Sequence, residues 1–267
     1  MGPLELSNTP LDRAGSRRPA CLLLHGLGAG VFEMCLLAEV LHQQGYPVRA
    51  FNYPGHDQPG SVMPHSTWEQ WYGAVESHYQ DLAQRYGQVA VIGFSTGGTL
   101  GLRLAAHHAV GPLVLLAPFL RLKTPSFLPI PLEDIVNSPL GVLISSVPRQ
   151  GSPIAEPQMQ RLATQVRPYQ TFSVLSVRSA VALTRWVEHN LARVTTPTLI
   201  VQSPIDSVVD PQGAQIIHDR LGSPRRELLW LKQSDHIITL DWEREQVFAA
   251  VLDFLAETNP SHPGVLG

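Results

Sequence analysis

Short runs of consecutive apolar residues alternate along this chain with stretches in which apolar positions recur every three or four residues. The first pattern belongs to strands, and unbroken apolar character marks strands buried on both faces. Six strand candidates stand out, several of them continuously apolar: Ala20–Leu24, Val48–Asn52, Val89–Gly93, Leu113–Ala117, Thr198–Gln202 and Glu227–Leu231. The second pattern is helical. Phe32, Leu36, Leu37, Val40 and Leu41 share one face of a helix that Gly45 is placed to terminate. Trp68, Trp71, Tyr72, Val75, Tyr79 and Leu82 share a face of a second helix, with Ser66 and Glu69 at capping-box spacing before it. Val247, Phe248, Val251, Phe254 and Leu255 line a last helix that Asp241 can cap. Strand and helix in alternation predict an α/β fold, a parallel sheet covered by helices.

The alternation lapses between Pro118 and Tyr169. Nine prolines fall in Pro118–Pro168, among apolar residues such as Phe127, Leu128, Ile130, Leu143 and Ile144. Proline stops long helices and central strands, so this stretch reads as an irregular insertion with short helices. A helix around Phe172–Leu191 follows, and the sheet resumes at Thr198. Residues 1–117 and 196–267 are therefore expected to form the core, with residues 118–195 as a cap or lid inserted into it.

Composition narrows the function classes. The chain has 267 residues, 44% of them hydrophobic, enough for one sizeable core. Charged residues make up 15% and the formal net charge is −3, which excludes the electrostatic footprint of a nucleic-acid binder. No apolar stretch reaches the ~20 residues that span a bilayer. The two cysteines, Cys21 and Cys35, fall in a strand and on a helical pattern and read as core thiols. With no secretion signal and no cysteine framework, the expected location is the cytoplasm. Neither H-E-x-x-H nor paired-cysteine spacing occurs, so no metal is expected. Gly26–Gly30 lacks the full dinucleotide spacing, and no cofactor is expected either.

The sharpest chemical signal is Gly93-Phe94-Ser95-Thr96-Gly97-Gly98. It follows the apolar run from Val89 and precedes a helical run through Leu100, Leu102, Leu104 and Ala105. Strand, G-x-S-x-G and helix in that order are what a nucleophile elbow requires. The five-residue pattern by itself matches roughly one chain in ten of this length by chance, so its placement between strand and helix is what carries the argument.

Serine needs a base to take its proton. Of eleven histidines, His236 is the one placed after a late strand, where loops share the sheet edge from which Ser95 emerges. The imidazole needs an acid to fix its tautomer. Asp206 follows the strand Thr198–Gln202, whereas Asp210 precedes Pro211 and reads as a helix N-cap. Ser95, Asp206 and His236 thus fall in α/β-hydrolase order. Two backbone donors are expected for an oxyanion: the Thr96 N–H after the elbow, and the Leu27 N–H in the glycine-rich loop after the first strand.

With these residues the chain resembles the α/β-hydrolase superfamily, and within it the small bacterial carboxylesterases related to monoacylglycerol lipases. The resemblance runs from Leu22 to Leu255 through Leu22-Leu-Leu-His-Gly26, Gly93–Gly98, Asp206-Ser-Val-Val209 and Ser234-Asp-His-Ile-Ile-Thr-Leu-Asp241. It implies a mostly parallel sheet of six or seven strands flanked by helices, with a small helical cap inserted after the sixth strand of the family's sheet. It implies the same triad and the same two oxyanion donors. Asp235 stands where the family commonly has glycine, and Gly55-His56-Asp57 replaces a glycine-histidine-glycine stretch. The short N-terminus implies a reduced set of leading strands.

The expected activity is hydrolysis of a small-molecule carboxylic ester through an acyl-enzyme. Phe127, Leu128, Ile130, Leu143 and Ile144 are candidates for contact with an apolar acyl or alcohol group, or for a small core within the cap itself. An acyltransferase or thioesterase would use the same triad, and a non-catalytic binding protein could keep the same fold.

Overall fold

The computed structural model describes residues 5–58, 60–125, 130–138, 144–149 and 151–258. Seven strands form one sheet: β1 (Leu11–Arg13), β2 (Ala20–Leu24), β3 (Val48–Ala50), β4 (Val89–Phe94), β5 (Leu113–Leu116), β8 (Thr198–Gln202) and β9 (Arg226–Trp230). Their order across the sheet is β1-β3-β2-β4-β5-β8-β9. All neighbours pair in parallel except β1, which runs antiparallel to β3. The six strands expected from the apolar runs are all present, two of them with the expected bounds. β2, β4 and β5 are buried at every position, as strands covered on both faces must be.

Helices cover both faces. α1 (Cys35–Gln43) and α8 (Arg244–Glu257) pack on one face with Phe32, Met34 and Ile92. α2 (Trp68–Tyr86), α3 (Thr96–Ala105), α6 (Val174–Asn190) and α7 (Gln212–Arg220) pack on the other around Trp71, Leu22 and Val91. None of the described helices is long and apolar enough to cross a membrane.

The segment between β5 and β8 carries α4 (Leu132–Asn137), α5 (Pro157–Val166) and α6, together with a two-stranded antiparallel ribbon of β6 (Ser146–Pro148) and β7 (Thr171–Ser173). The sequence pattern did not announce the ribbon, because each strand is three residues long and β6 ends on a proline. Met159 and Ala163 of α5 join the first core layer, and Ala180, Leu183 and Val187 of α6 join the second. This segment therefore rests on the sheet's own helices.

Three expected caps shift. The α2 cap is Thr67, whose N–H donates to the Gln70 side chain at 2.9 Å. Ser66 is instead buried, accepting from Trp71 Nε1 at 2.8 Å. Asp241 does not cap α8, whose N-cap is Glu243. Its buried carboxylate accepts four backbone N–H groups, from Ala155, Glu156, Asp235 and Trp242, at 2.7–2.9 Å. A run of free amides from two loops outcompetes one helix end for a buried carboxylate. Asp210 stands one residue before the N-cap of α7, which is Pro211, though its carboxylate accepts from the Gln212 N–H at 3.0 Å.

Candidate active site

The chain leaves β2, adds β3 on one side of it, and then returns to place β4 on the other. The carboxyl ends of β2 and β4 therefore meet at a topological switch point, where open α/β sheets form a ligand crevice. Ser95 follows β4 there, and the His25–Gly30 loop follows β2 beside it. Asp206 and His236 come in on the loops after β8 and β9.

The turn at Ser95 is strained. Ser95 has φ 53° and ψ −119°, a conformation that side chains with a Cβ rarely adopt. The flanking glycines make it sterically feasible. A Cβ on Gly93 would lie 2.3 Å from the Gly97 carbonyl oxygen, and one on Gly97 would lie 2.3 Å from that of Leu24. The elbow is braced by hydrogen bonds from Ser95 N–H to the Leu116 carbonyl (2.9 Å) and from Phe119 N–H to the Ser95 carbonyl (3.1 Å).

The sequence-predicted residues converge. Ser95 Oγ lies 3.0 Å from His236 Nε2, and His236 Nδ1 lies 2.8 Å from Asp206 Oδ2. With Nδ1–H donating to the carboxylate, Nε2 is left to accept from the serine hydroxyl. Burial disfavours charge on His236, but the Asp206 carboxylate, with Glu33 and Asp235 further away, outweighs it and raises the imidazole above its ordinary value. Burial pushes Asp206 the other way, yet His236 and the N–H groups of Val209 and Val208 hold it below the usual carboxylate range. Its Oδ1 accepts those two N–H groups at 2.8 and 2.9 Å, and Gln202 donates to its Oδ2 at 3.0 Å. Asp235 braces the same two loops, accepting from Ser207 N–H (2.8 Å) and Ser207 Oγ–H (2.9 Å).

Leu27 and Thr96 flank the serine from β2's loop and from the first turn of α3. Among the described residues neither backbone N–H has a protein acceptor. Around them the loop is tied down. His25 Nδ1–H donates to the Gly26 carbonyl at 2.8 Å, and Tyr53 Oη–H to the His25 carbonyl at 2.9 Å. Gly26 N–H donates to Glu33 Oε2, and Gly28 N–H to His56 Nε2, each at 2.9 Å. Burial keeps both histidines neutral, taking His56 down to about 4 and His25 well below its ordinary value.

Sequence reasoning missed Glu33, His56 and Arg149 as neighbours of this site. Glu33 is buried, and burial pushes its carboxyl up to about 7 against the pull of Arg149, the Gly26 N–H and His236. One signal was available: an acidic residue inside an otherwise apolar run, Val31-Phe-Glu-Met34, directly after a glycine-rich loop. Of the five apolar candidates beyond Pro118, Phe127, Leu128 and Leu143 lie outside the described residues. Ile130 and Ile144 are each 49% exposed, so they do not belong to a buried core of their own.

Known proteins with this architecture carry the same broad chemistry in their names. A family model described as "Serine aminopeptidase, S33" matches residues 15–243. A carboxylesterase of Bacillus subtilis (strain 168) is 26% identical over 237 residues, covering 88% of this chain and 92% of that protein. A thermostable monoacylglycerol lipase of Bacillus sp. (strain H-257) is 31% identical over 245 residues, 88% of this chain and 90% of its own. Among solved structures, a metagenome-derived lipolytic enzyme superposes with a TM-score of 0.80 at 26% identity, covering 95% of this chain and 100% of that one.

Proposed function

The chain belongs to the serine aminopeptidase, S33 family of α/β-hydrolases, and from that membership we propose that it is a serine carboxylic ester hydrolase. Ser95 is the nucleophile, His236 the general base and acid, and Asp206 the group that orients and charges-balances the imidazole. The backbone N–H groups of Leu27 and Thr96 are the oxyanion donors, and residues 118–195 form the cap over a core of residues 1–117 and 196–267. The observation that carries this reading is the unbroken run of hydrogen bonds from Ser95 Oγ through His236 to Asp206, at 3.0 and 2.8 Å.

In the first half-reaction His236 Nε2 takes the Ser95 proton as Oγ bonds to the ester carbonyl carbon. The carbonyl π electrons move onto oxygen, and two N–H donors at that oxygen stabilise it, each contributing roughly 3–4 kcal/mol. Collapse breaks the bond to the alkoxy oxygen, which leaves with the proton from His236. In the second half-reaction His236 deprotonates a water that attacks the acyl-enzyme, and Ser95 recovers its proton as the acid departs. No cofactor takes part in these steps.

The substrate proposed is a small-molecule ester with an apolar acyl or alcohol group. The relatives named for carboxylesters and monoacylglycerols support the class. The half-exposed Ile130 and Ile144 supply apolar surface on the cap side. The test is hydrolysis of p-nitrophenyl esters of increasing acyl length by the parent protein and Ser95→Ala. Turnover that disappears in the variant supports the reading, and equal turnover in both rejects it. An acyltransferase or thioesterase would instead show acyl transfer to added alcohols, or a preference for thioesters.

A further inference from the structure

The loop that carries the Leu27 N–H is Gly26-Leu27-Gly28-Ala29-Gly30, and three glycines in five residues give it wide conformational freedom. An oxyanion donor is useful only when it is held still before the reaction. The anchors described above come from the core's own loops: His25, Glu33, Tyr53 and His56. They fix the Gly26 N–H, the Gly26 carbonyl and the Gly28 N–H. The carbonyl of Gly28 is fixed from elsewhere. Arg149 Nη1–H donates to it at 2.6 Å.

Arg149 follows β6 of the ribbon, and its own N–H donates to the Gln170 carbonyl across from it at 2.8 Å. Its guanidinium lies over the ring of Phe172 in β7, 4.8 Å from the centroid. That ring covers Gly28 so closely that a Cβ there would lie 2.7 Å from it, and Gly28 has φ +66° besides. The ribbon thus bonds one atom of the loop and blocks the space into which it would relax. Charge repeats the arrangement: the Glu33 carboxylate holds one end of the loop and the Arg149 guanidinium the other, and each is buried enough to feel the other's field.

We propose that Arg149 is a positioning residue for the oxyanion donor, so that the Leu27 N–H is set in place only while the cap's ribbon is seated on the loop. This rests on the ester-hydrolase reading above. A guanidinium–carbonyl bond is charge-assisted and stronger than the neutral bonds of a typical loop. Without it the glycines populate conformers in which the Leu27 N–H turns away from the reacting carbonyl.

The variants are Arg149→Met, Arg149→Lys and Phe172→Leu, measured on one p-nitrophenyl ester and against a trifluoromethyl ketone of the same acyl group. The ketone forms a hemiketal whose oxyanion occupies the same donors. Arg149→Met is expected to lower kcat about 10–100-fold, a part of what one lost donor removes, with KM changing less than about two-fold as for an interaction made only in the transition state. The ketone's inhibition constant rises by the same factor as kcat/KM falls. Arg149→Lys restores part of the loss, and Phe172→Leu gives a smaller loss in the same direction even if Arg149→Met folds poorly. Unchanged kcat and ketone affinity in Arg149→Met and Phe172→Leu would overturn the proposal, as would a loss expressed in KM alone. A parent protein that neither hydrolyses the ester nor binds the ketone points instead to failure of the underlying reading.

Discussion

Replacing Asp206 by asparagine separates the role of its charge from its shape. The carboxylate has four partners: the Val208 and Val209 N–H groups on Oδ1, and His236 Nδ1 and Gln202 Nε2 on Oδ2. In Asp206→Asn the amide oxygen satisfies the most donors facing the two backbone N–H groups. The amide NH2 then faces His236 Nδ1, which must become the acceptor. That transfers the ring proton to Nε2, the atom 3.0 Å from Ser95 Oγ, where it blocks deprotonation of the serine. Loss of the correct tautomer in such an arrangement costs about 10⁴-fold in kcat, or about 5 kcal/mol of transition-state stabilisation. Steady-state hydrolysis of a p-nitrophenyl ester, with circular dichroism to confirm folding, measures it. Asp210→Asn, whose oxygen can still accept from Gln212 N–H, serves as the control and should stay within about two-fold, since Asp210 takes no part in the Ser95–His236–Asp206 hydrogen bonds. A folded Asp206→Asn protein within about ten-fold of the parent would refute the reasoning, because no wrong-tautomer base works that well.

Five further outcomes follow from the same geometry. In the proposed mechanism His236 acts when neutral, and its imidazole is raised above the ordinary value, so kcat/KM should fall as pH drops through a midpoint above 6.5. Asp235→Asn keeps an oxygen for the Ser207 N–H but removes a negative charge, so it should move that midpoint to lower pH in a pH–rate profile; no movement would discount Asp235's field. Glu33, pushed up to about 7, titrates in the same window, and because a proton on either group disfavours one on the other it should make the limb shallower than that of a single proton, a feature that Glu33→Gln removes. Gly97→Ala drives a Cβ to 2.3 Å from the Leu24 carbonyl, so urea denaturation should show a loss of about 3 kcal/mol or more, and a parent-like midpoint would contradict the close packing of elbow and β2. Asp241→Asn presents NH2 to two of four backbone N–H groups, removing about 3–6 kcal/mol of charge-assisted bonding and lowering Tm by about 6 °C or more. A Tm equal to the parent's would show that these bonds are readily replaced.

What the sequence made legible is what depends on local pattern. Apolar runs located β2, β4, β5 and β8 because strands buried on both faces have no polar side to disguise them. Gly93, Ser95 and Gly97 located the elbow because its backbone tolerates so few residues. The order Ser95, Asp206, His236 followed from where strands end. What stayed hidden depends on pairing across the chain. β1 is Leu-Asp-Arg, held at the sheet edge partly by Asp12 on Arg49 at 2.6 Å, and three residues, two of them charged, give no period. Asp241 reads as a helix cap until Ala155 and Glu156 arrive from 86 and 85 residues away to claim it. Arg149 sits in proline-rich sequence with no pattern at all, and only the folded ribbon brings it to Gly28.

The central claim is that Ser95 becomes acylated during turnover. Incubation with a fluorophosphonate, followed by proteolysis and mass spectrometry of the peptide containing Gly93–Gly98, reads this at one atom. The account predicts a single phosphonyl adduct on Ser95, loss of ester hydrolysis in step with its formation, and no adduct in Ser95→Ala. Full ester turnover by a protein unmodified at Ser95, or modification at another residue with loss of activity, would contradict it.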